Sequence, residues 1–129
     1  MRSLFVLTNH IATEEQREDA KLSLNVDILV DLPPDLKKMW GEVPPELDSV
    51  SGYVAEFLDW IVGRLQVGDV VWVQGEFGAT VTVVDWCREH GVRAVYATTR
   101  RVATEVHTPT GVNLTHVFKH VRFRDYPCK

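Results

Sequence analysis

The side chains best suited to chemistry fall in four short stretches: Thr8-Asn9-His10, Gln74 to Thr80, Thr98-Thr99-Arg100-Arg101 and His116 to Arg124. In the second stretch, Gly75 and Gly78 bracket Glu76-Phe77, and Ala79-Thr80 follow. Where such a turn opens a helix, its backbone N–H groups face an incoming anion and the missing side chains let a phosphate approach. The same two glycines equally suit a plain strand-to-helix turn. The turn is neither a Walker A loop nor a GxGxxG fingerprint, because no Lys follows and the spacing differs. Glu76 would repel a nearby phosphate, so it either accepts a hydrogen bond from a ribose hydroxyl or an adenine amine, or serves as a helix N-terminal charge. Phe77, an aromatic beside two glycines, suits stacking on a base. Arg100 can grip phosphate bidentately and stays charged at any working pH, whereas Arg101 reads as solvated. Histidine is the side chain best suited to proton transfer at physiological pH, so His10 reads either as an acid–base group or as an ordinary surface residue. In the last stretch, period two puts His116, Phe118, His120, Arg122 and Arg124 on one face and Val117, Lys119, Val121 and Phe123 on the other. A Lys on an otherwise apolar face either reaches a site or snorkels to solvent, and the pattern leaves both open. No His, Cys, Asp and Glu cluster has metal-ligand spacing and no GxSxG occurs, so no metal and no cofactor is expected.

The elements that must position these residues are legible from periodicity. Leu4-Phe5-Val6-Leu7 predicts a strand over 3–8 buried on both faces, ending at Thr8-Asn9-His10. Thr13-Glu14-Glu15-Gln16 is a capping box that opens a helix over about 13–23. A second strand is expected at 26–32, stopped by Pro33-Pro34, with a short helix at 35–40 before Gly41. Val50, Tyr53, Val54, Phe57, Leu58, Ile61, Val62 and Leu65 follow helical spacing, and Gly68 is placed to end that helix. A third strand at 69–75 turns through Gly75 to Gly78 into a helix reaching about His90, closed by Gly91. A fourth strand spans 93–98, and a hairpin of 102–107 with 112–124 follows around Pro109-Thr110-Gly111. Strands alternating with helices predict an α/β fold, a Rossmann-like three-layer sandwich with a mostly parallel sheet and a C-terminal antiparallel hairpin. In such sheets ligands lie outside the carboxyl ends of the strands, which selects the first three stretches.

At 129 residues, 45% hydrophobic and 25% charged, the chain reads as one domain over 1–129. A net charge of −4 argues against long nucleic acid as a partner, since that binding needs many cations, but permits a small anion held by a local cluster. Cys87, on a helical face, and Cys128, near the end, build no disulfide framework, and no segment reaches signal-peptide or membrane-span length. A cytoplasmic protein without membrane contact is expected. Trp40, Phe57, Trp60, Trp72 and Trp86 fall on core faces and are read as packing.

LFVLTNH followed by TEEQREDA, VQGEFGAT, YATTRR and FKHVRFRDY together span residues 4–126. In this order and spacing they resemble a small type III CRISPR-associated family of ring nucleases, similar to CRISPR-associated Rossmann-fold sensor domains. The resemblance implies an enzyme that binds and cuts cyclic tetra-adenylate and so ends an antiviral signal. Carried onto this chain, it points to Asn9 and His10, to Gln74, Gly75, Glu76, Phe77, Gly78, Ala79 and Thr80, to Thr98, Thr99 and Arg100, and to Lys119 and His120, while Thr8 joins them from its place at the strand end. The last pair comes to the site mainly through the resemblance.

The expected chemistry is attack by a ribose 2′-hydroxyl on the adjacent phosphate, without metal, leaving a 2′,3′-cyclic phosphate. Asn9, His10, Arg100 and Lys119 are the candidate catalytic residues, with His10 moving the proton and the cations stabilising phosphoryl charge. A homodimer is expected, because a four-nucleotide ring has symmetry that a two-fold interface matches. Two other readings stand beside this one: a protein that sequesters or senses the ring without cutting it, and a mononucleotide-binding flavodoxin-like protein unrelated to defence.

Overall fold

The computed structural model describes residues 1–127, so Cys128 lies outside the described residues. Its elements are β1 (Ser3–Leu7), α1 (Glu14–Ser23), β2 (Ile28–Asp31), α2 (Pro34–Gly41), α3 (Ser51–Val62), β3 (Val70–Val73), α4 (Phe77–Glu89), β4 (Arg93–Thr108) and β5 (Gly111–Asp125). The protein is an α/β fold around one five-stranded sheet of order β2-β1-β3-β4-β5. The first four strands are parallel, and β4 pairs with β5 antiparallel.

Both faces of the central strands are covered, and the sequence dictates how. Alternation sends Phe5, Leu7, Val71 and Val73 into a core with Trp40 of α2, Val54, Phe57 and Ile61 of α3, and Val83 and Cys87 of α4. Leu4, Val6, Val70 and Trp72 point the other way, against Ala20 of α1, Leu24 just after it, and Val95, Ala97 and Phe123 of the hairpin strands. β1 and β3 therefore read as unbroken apolar runs. The capping box of α1 forms as expected: Gln16 N–H donates to Thr13 Oγ1 at 3.1 Å and Thr13 N–H donates to Gln16 Oε1 at 2.9 Å. Asp69 ties the sheet at the opposite end, accepting from Ser3 N–H and Gln66 N–H, both at 2.8 Å.

The structure corrects three expectations. Helix α3 stops at Val62, which is exposed, and not before Gly68; Gly68, at φ +92°, instead turns the chain into β3. The fourth strand does not end at 98 with a separate hairpin beyond it. β4 runs unbroken for 16 residues, its pairing with β3 ends at Val95, and the rest projects past the sheet as one arm of the hairpin. The simple period-two reading of the last stretch also fails. Thr98 pairs with Arg122 while Thr99 pairs with His120, so Val121 is an extra residue, a β-bulge. It places Phe123 on the face of His120, where the rings stand 5.0 Å apart, and moves Arg122 and Arg124 to the face of Lys119.

Candidate functional site

The order of strands reverses between β1 and β3, so the crevice of an open parallel sheet falls at their carboxyl ends. Adjoining concavities ring that edge. One of about 180 Å³, on the α1 side, is lined by Thr8, His10, Ala12, Gln16, Trp72, Gln74, Ala97 and Thr99, among others. A second, of about 370 Å³ on the α4 side, is lined by Gln74, Gly75, Phe77, Thr80, Val81 and Tyr126. Asn9, Trp40, Gly75 and Glu76 help line a third, of about 330 Å³. Gln74 belongs to the first two and Gly75 to the last two, so the three are neighbours around one strand end.

Gln74 is fixed by what surrounds it. Trp72 Nε1–H and the Ala97 backbone N–H both donate to its Oε1 at 2.7 Å. Both neighbours are pure donors, so the amide oxygen must face them and the –NH2 group is left with two N–H donors and no partner among the described residues. Its carbonyl accepts from Trp40 Nε1–H at 2.9 Å and its N–H donates to Leu7 at 3.1 Å. Thr8 is buried and donates to the His10 carbonyl at 3.0 Å, which shapes the loop after β1 and leaves the His10 ring exposed at the cavity wall. Thr99 reaches the same cavity from β4.

The Gly75 to Gly78 turn is shaped by packing. A Cβ on Gly75 would lie 2.6 Å from Trp40 Nε1, and one on Gly78 would meet Val50 at 3.2 Å. Trp40 closes over Gly75 and leaves no room for a side chain, whereas the contact at Gly78 is only tight. The expected phosphate cradle is partly filled from within, since Glu76 caps α4 by accepting from Ala79 N–H at 2.8 Å. An anion on the neighbouring amides would face that carboxylate. Ala79 is fully buried, while Phe77 is 88% exposed at the start of α4. Thr80 presents a buried Oγ1 without a partner beside the α4-side cavity.

The hairpin residues separate. The Thr98 hydroxyl is taken up by the bulge, donating to the Arg122 carbonyl at 2.9 Å and accepting from the Arg122 N–H at 3.2 Å. His120 Nε2 pairs with Asp19 Oδ2 at 2.6 Å, its side chain only 4% exposed, so it anchors the hairpin root to α1 and is closed to a ligand on that nitrogen. Arg100 and Lys119 oppose each other across the ladder, both exposed, on the face opposite to Thr99 and His120. The proton-moving candidate His10 and the two cations thus flank the sheet edge from opposite sides and do not share one pocket. Sequence reasoning missed Gln16, which lines the α1-side cavity, and Tyr126 on the α4 side. The Tyr126 hydroxyl donates to the Val73 carbonyl, and burial, reinforced by neighbouring Tyr96, pushes its pKa up to about 12. The capping box accounts for Gln16 locally, and Tyr126 closes the last resembling stretch without a pattern that places it at a cavity.

Among the described residues no group of three or more His, Cys, Asp or Glu side chains is placed to hold a metal ion, and no helix is long and apolar enough to cross a membrane. Residues 2–124 match the model of the uncharacterized protein MJ1673 family, and the chain belongs to that family. It is 32% identical to uncharacterized protein MJ1673 of Methanocaldococcus jannaschii over 126 residues, covering 98% of each chain. No solved structure matches it.

Proposed function

We propose that this member of the MJ1673 family is a ring nuclease that binds cyclic tetra-adenylate and cleaves it without metal, switching off type III CRISPR signalling in the cytoplasm. In this reading the fold is a single Rossmann-like three-layer sandwich, with α1 on one face of the sheet and α2, α3 and α4 on the other. The observation that carries the proposal is the convergence at one edge. Residues 8–10, 74–77, 80 and 99, far apart in the chain and each within a stretch that resembles the ring nucleases, line adjoining cavities where strand order reverses.

The protein's task is alignment. The 2′-oxygen forms a bond to the adjacent phosphorus, the bond to the 5′-oxygen breaks, the 2′ proton passes to a base and the 5′-oxygen takes one up. Holding those atoms in line is worth about 7–11 kcal/mol, enough for modest turnover without a strong base. The Gln74 –NH2 group, Arg100 and Lys119 hold phosphoryl oxygens, His10 handles a proton, Asn9 orients the ring and Phe77 stacks on an adenine. His10 and the cations stand on opposite sides of the edge, which suits a ring large enough to straddle it. A homodimer completes the enclosure. Val106, Val112, Leu114, Val117 and Phe118 are exposed on the projecting hairpin, and a two-stranded ribbon gains stability by packing on a second copy.

The alternative is a protein that sequesters the ring uncut, and one observation favours it: His10 has no side-chain partner among the described residues that would orient it as a base. Incubation of sub-stoichiometric protein with cyclic tetra-adenylate separates the two. Several turnovers to linear product support the nuclease, whereas tight binding with the ring intact supports sequestration.

A further inference from the structure

We propose that Arg122 and Arg124 join Arg100 and Lys119 in a phosphate-binding face at the hairpin root, assembled by the bulge at Val121. The inference rests on the reading of the ligand as a cyclic oligoadenylate and adds two residues to its binding surface. In an unbulged strand Arg122 and Arg124 would share the His120 face, away from Lys119. The extra residue reverses this, and the Thr98 hydroxyl holds the reversal by bonding both the N–H and the carbonyl of Arg122.

The result is a one-sided run of cations. Arg100 lies directly opposite Lys119, Arg122 follows beside Thr98, and Arg124 pairs with Tyr96. Like charges opposed on paired strands repel, and no ion pair among the described residues involves any of the four. The acids of the hairpin are engaged elsewhere: Asp125 binds Arg93 at 2.6 Å, and Glu105 stands near His107 on the opposite face. A bound anion relieves that repulsion, and a run of several cations suits successive phosphates better than one.

The face also adjoins the cavity already described. Arg124 sits 5.7 Å above the Tyr96 ring and donates to its hydroxyl at 3.1 Å; Tyr96 packs 4.8 Å from Tyr126, which lines the cavity with Phe77 and Thr80. A nucleotide stacked on Phe77 would bring its phosphates to these cations. Arg122 keeps its terminal nitrogens uncommitted, since only its Nε donates within the described residues, to the Phe123 carbonyl at 3.1 Å.

The test compares Arg122→Gln with Arg101→Gln, which removes the same charge from the opposite face of the same ribbon. Affinity for cyclic tetra-adenylate is titrated at several salt concentrations, with circular dichroism to establish folding. The expected result is about tenfold or greater weakening in Arg122→Gln, with the slope of log Kd against log salt reduced by about 0.7, and little change in Arg101→Gln. Equal losses in both variants, or none in Arg122→Gln, overturn the inference and leave the ring-nuclease reading standing. If the wild-type protein binds no ring, that reading fails, and the face is probed with inorganic tripolyphosphate. Binding lost in Arg122→Gln but kept in Arg101→Gln sustains the phosphate face; no binding by the wild type overturns it as well.

Discussion

Gln74 illustrates how one side chain can be made a donor by its neighbours. With its oxygen committed to Trp72 and Ala97 N–H groups, only its –NH2 is available to the cavities. Gln74→Glu keeps the two internal bonds and replaces the outward donor with a charged acceptor. The variant should fold normally, and its affinity for cyclic tetra-adenylate should fall by about tenfold or more, measured by calorimetric titration; unchanged affinity would remove Gln74 from the binding surface. Binding and chemistry divide between two other residues. Arg100→Ala should weaken binding, whereas His10→Ala should spare binding and slow single-turnover cleavage by about a hundredfold if His10 moves a proton. Cleavage by His10→Ala at the wild-type rate would return His10 to an ordinary surface role. The residue types at the strand ends were legible in the sequence because they interrupt apolar runs. The reason for Gly75 was not, because the atom that forbids a side chain there belongs to Trp40, far earlier in the chain.

Among the elements, those governed by local rules were readable and those governed by pairing were not. Two apolar strands, a capping box and a Gly-closed helix each carry their signal within a few residues, as Thr13 with Gln16 and Gly91 after α4 demonstrate. The length of β4 and the bulge at Val121 depend on the partner strand, and a one-residue register change leaves no mark in the composition. Misplacing Phe123 and Arg122 followed directly from that. Helix α4 also carries a stability prediction. Burial of Cys87 in the core raises its thiol pKa from 9.0 to about 12. Between those values the unfolded chain has lost the proton that the folded chain retains, so stability is fully present below about pH 9 and falls as pH rises toward 12. Tyr126, raised from 10.0 to about 12, acts in the same direction over the upper part of that window. Denaturant midpoints measured from pH 8 to 11 should decline for the wild type and decline less for Cys87→Ala; parallel curves would show that the thiol does not titrate this way.

At the scale of the whole molecule, the sheet carries adjoining cavities at the carboxyl ends of β1 and β3, and a long hairpin with exposed apolar residues projects beyond them. Sedimentation velocity should find a homodimer, in which two edges face each other across a two-fold axis and enclose the ring. A monomer both free and with saturating cyclic tetra-adenylate would refute that arrangement. The chemistry proposed for the carboxyl ends of the strands is alignment of a ribose hydroxyl without metal. The cavities there gather amide, hydroxyl and imidazole side chains, and the carboxylate among their described lining residues is Glu76, which is engaged in capping α4. A two-metal phosphodiesterase gathers several carboxylates around its ions, whereas alignment of a ribose hydroxyl needs donors and shape. The most direct test is to incubate the protein with cyclic tetra-adenylate in excess chelator and to determine the linear products by mass. Undiminished cleavage is expected, with products ending in a 2′,3′-cyclic phosphate. Activity abolished by chelation and restored by added metal, products with free 3′-hydroxyls, or a ring left intact by high enzyme concentration would contradict it.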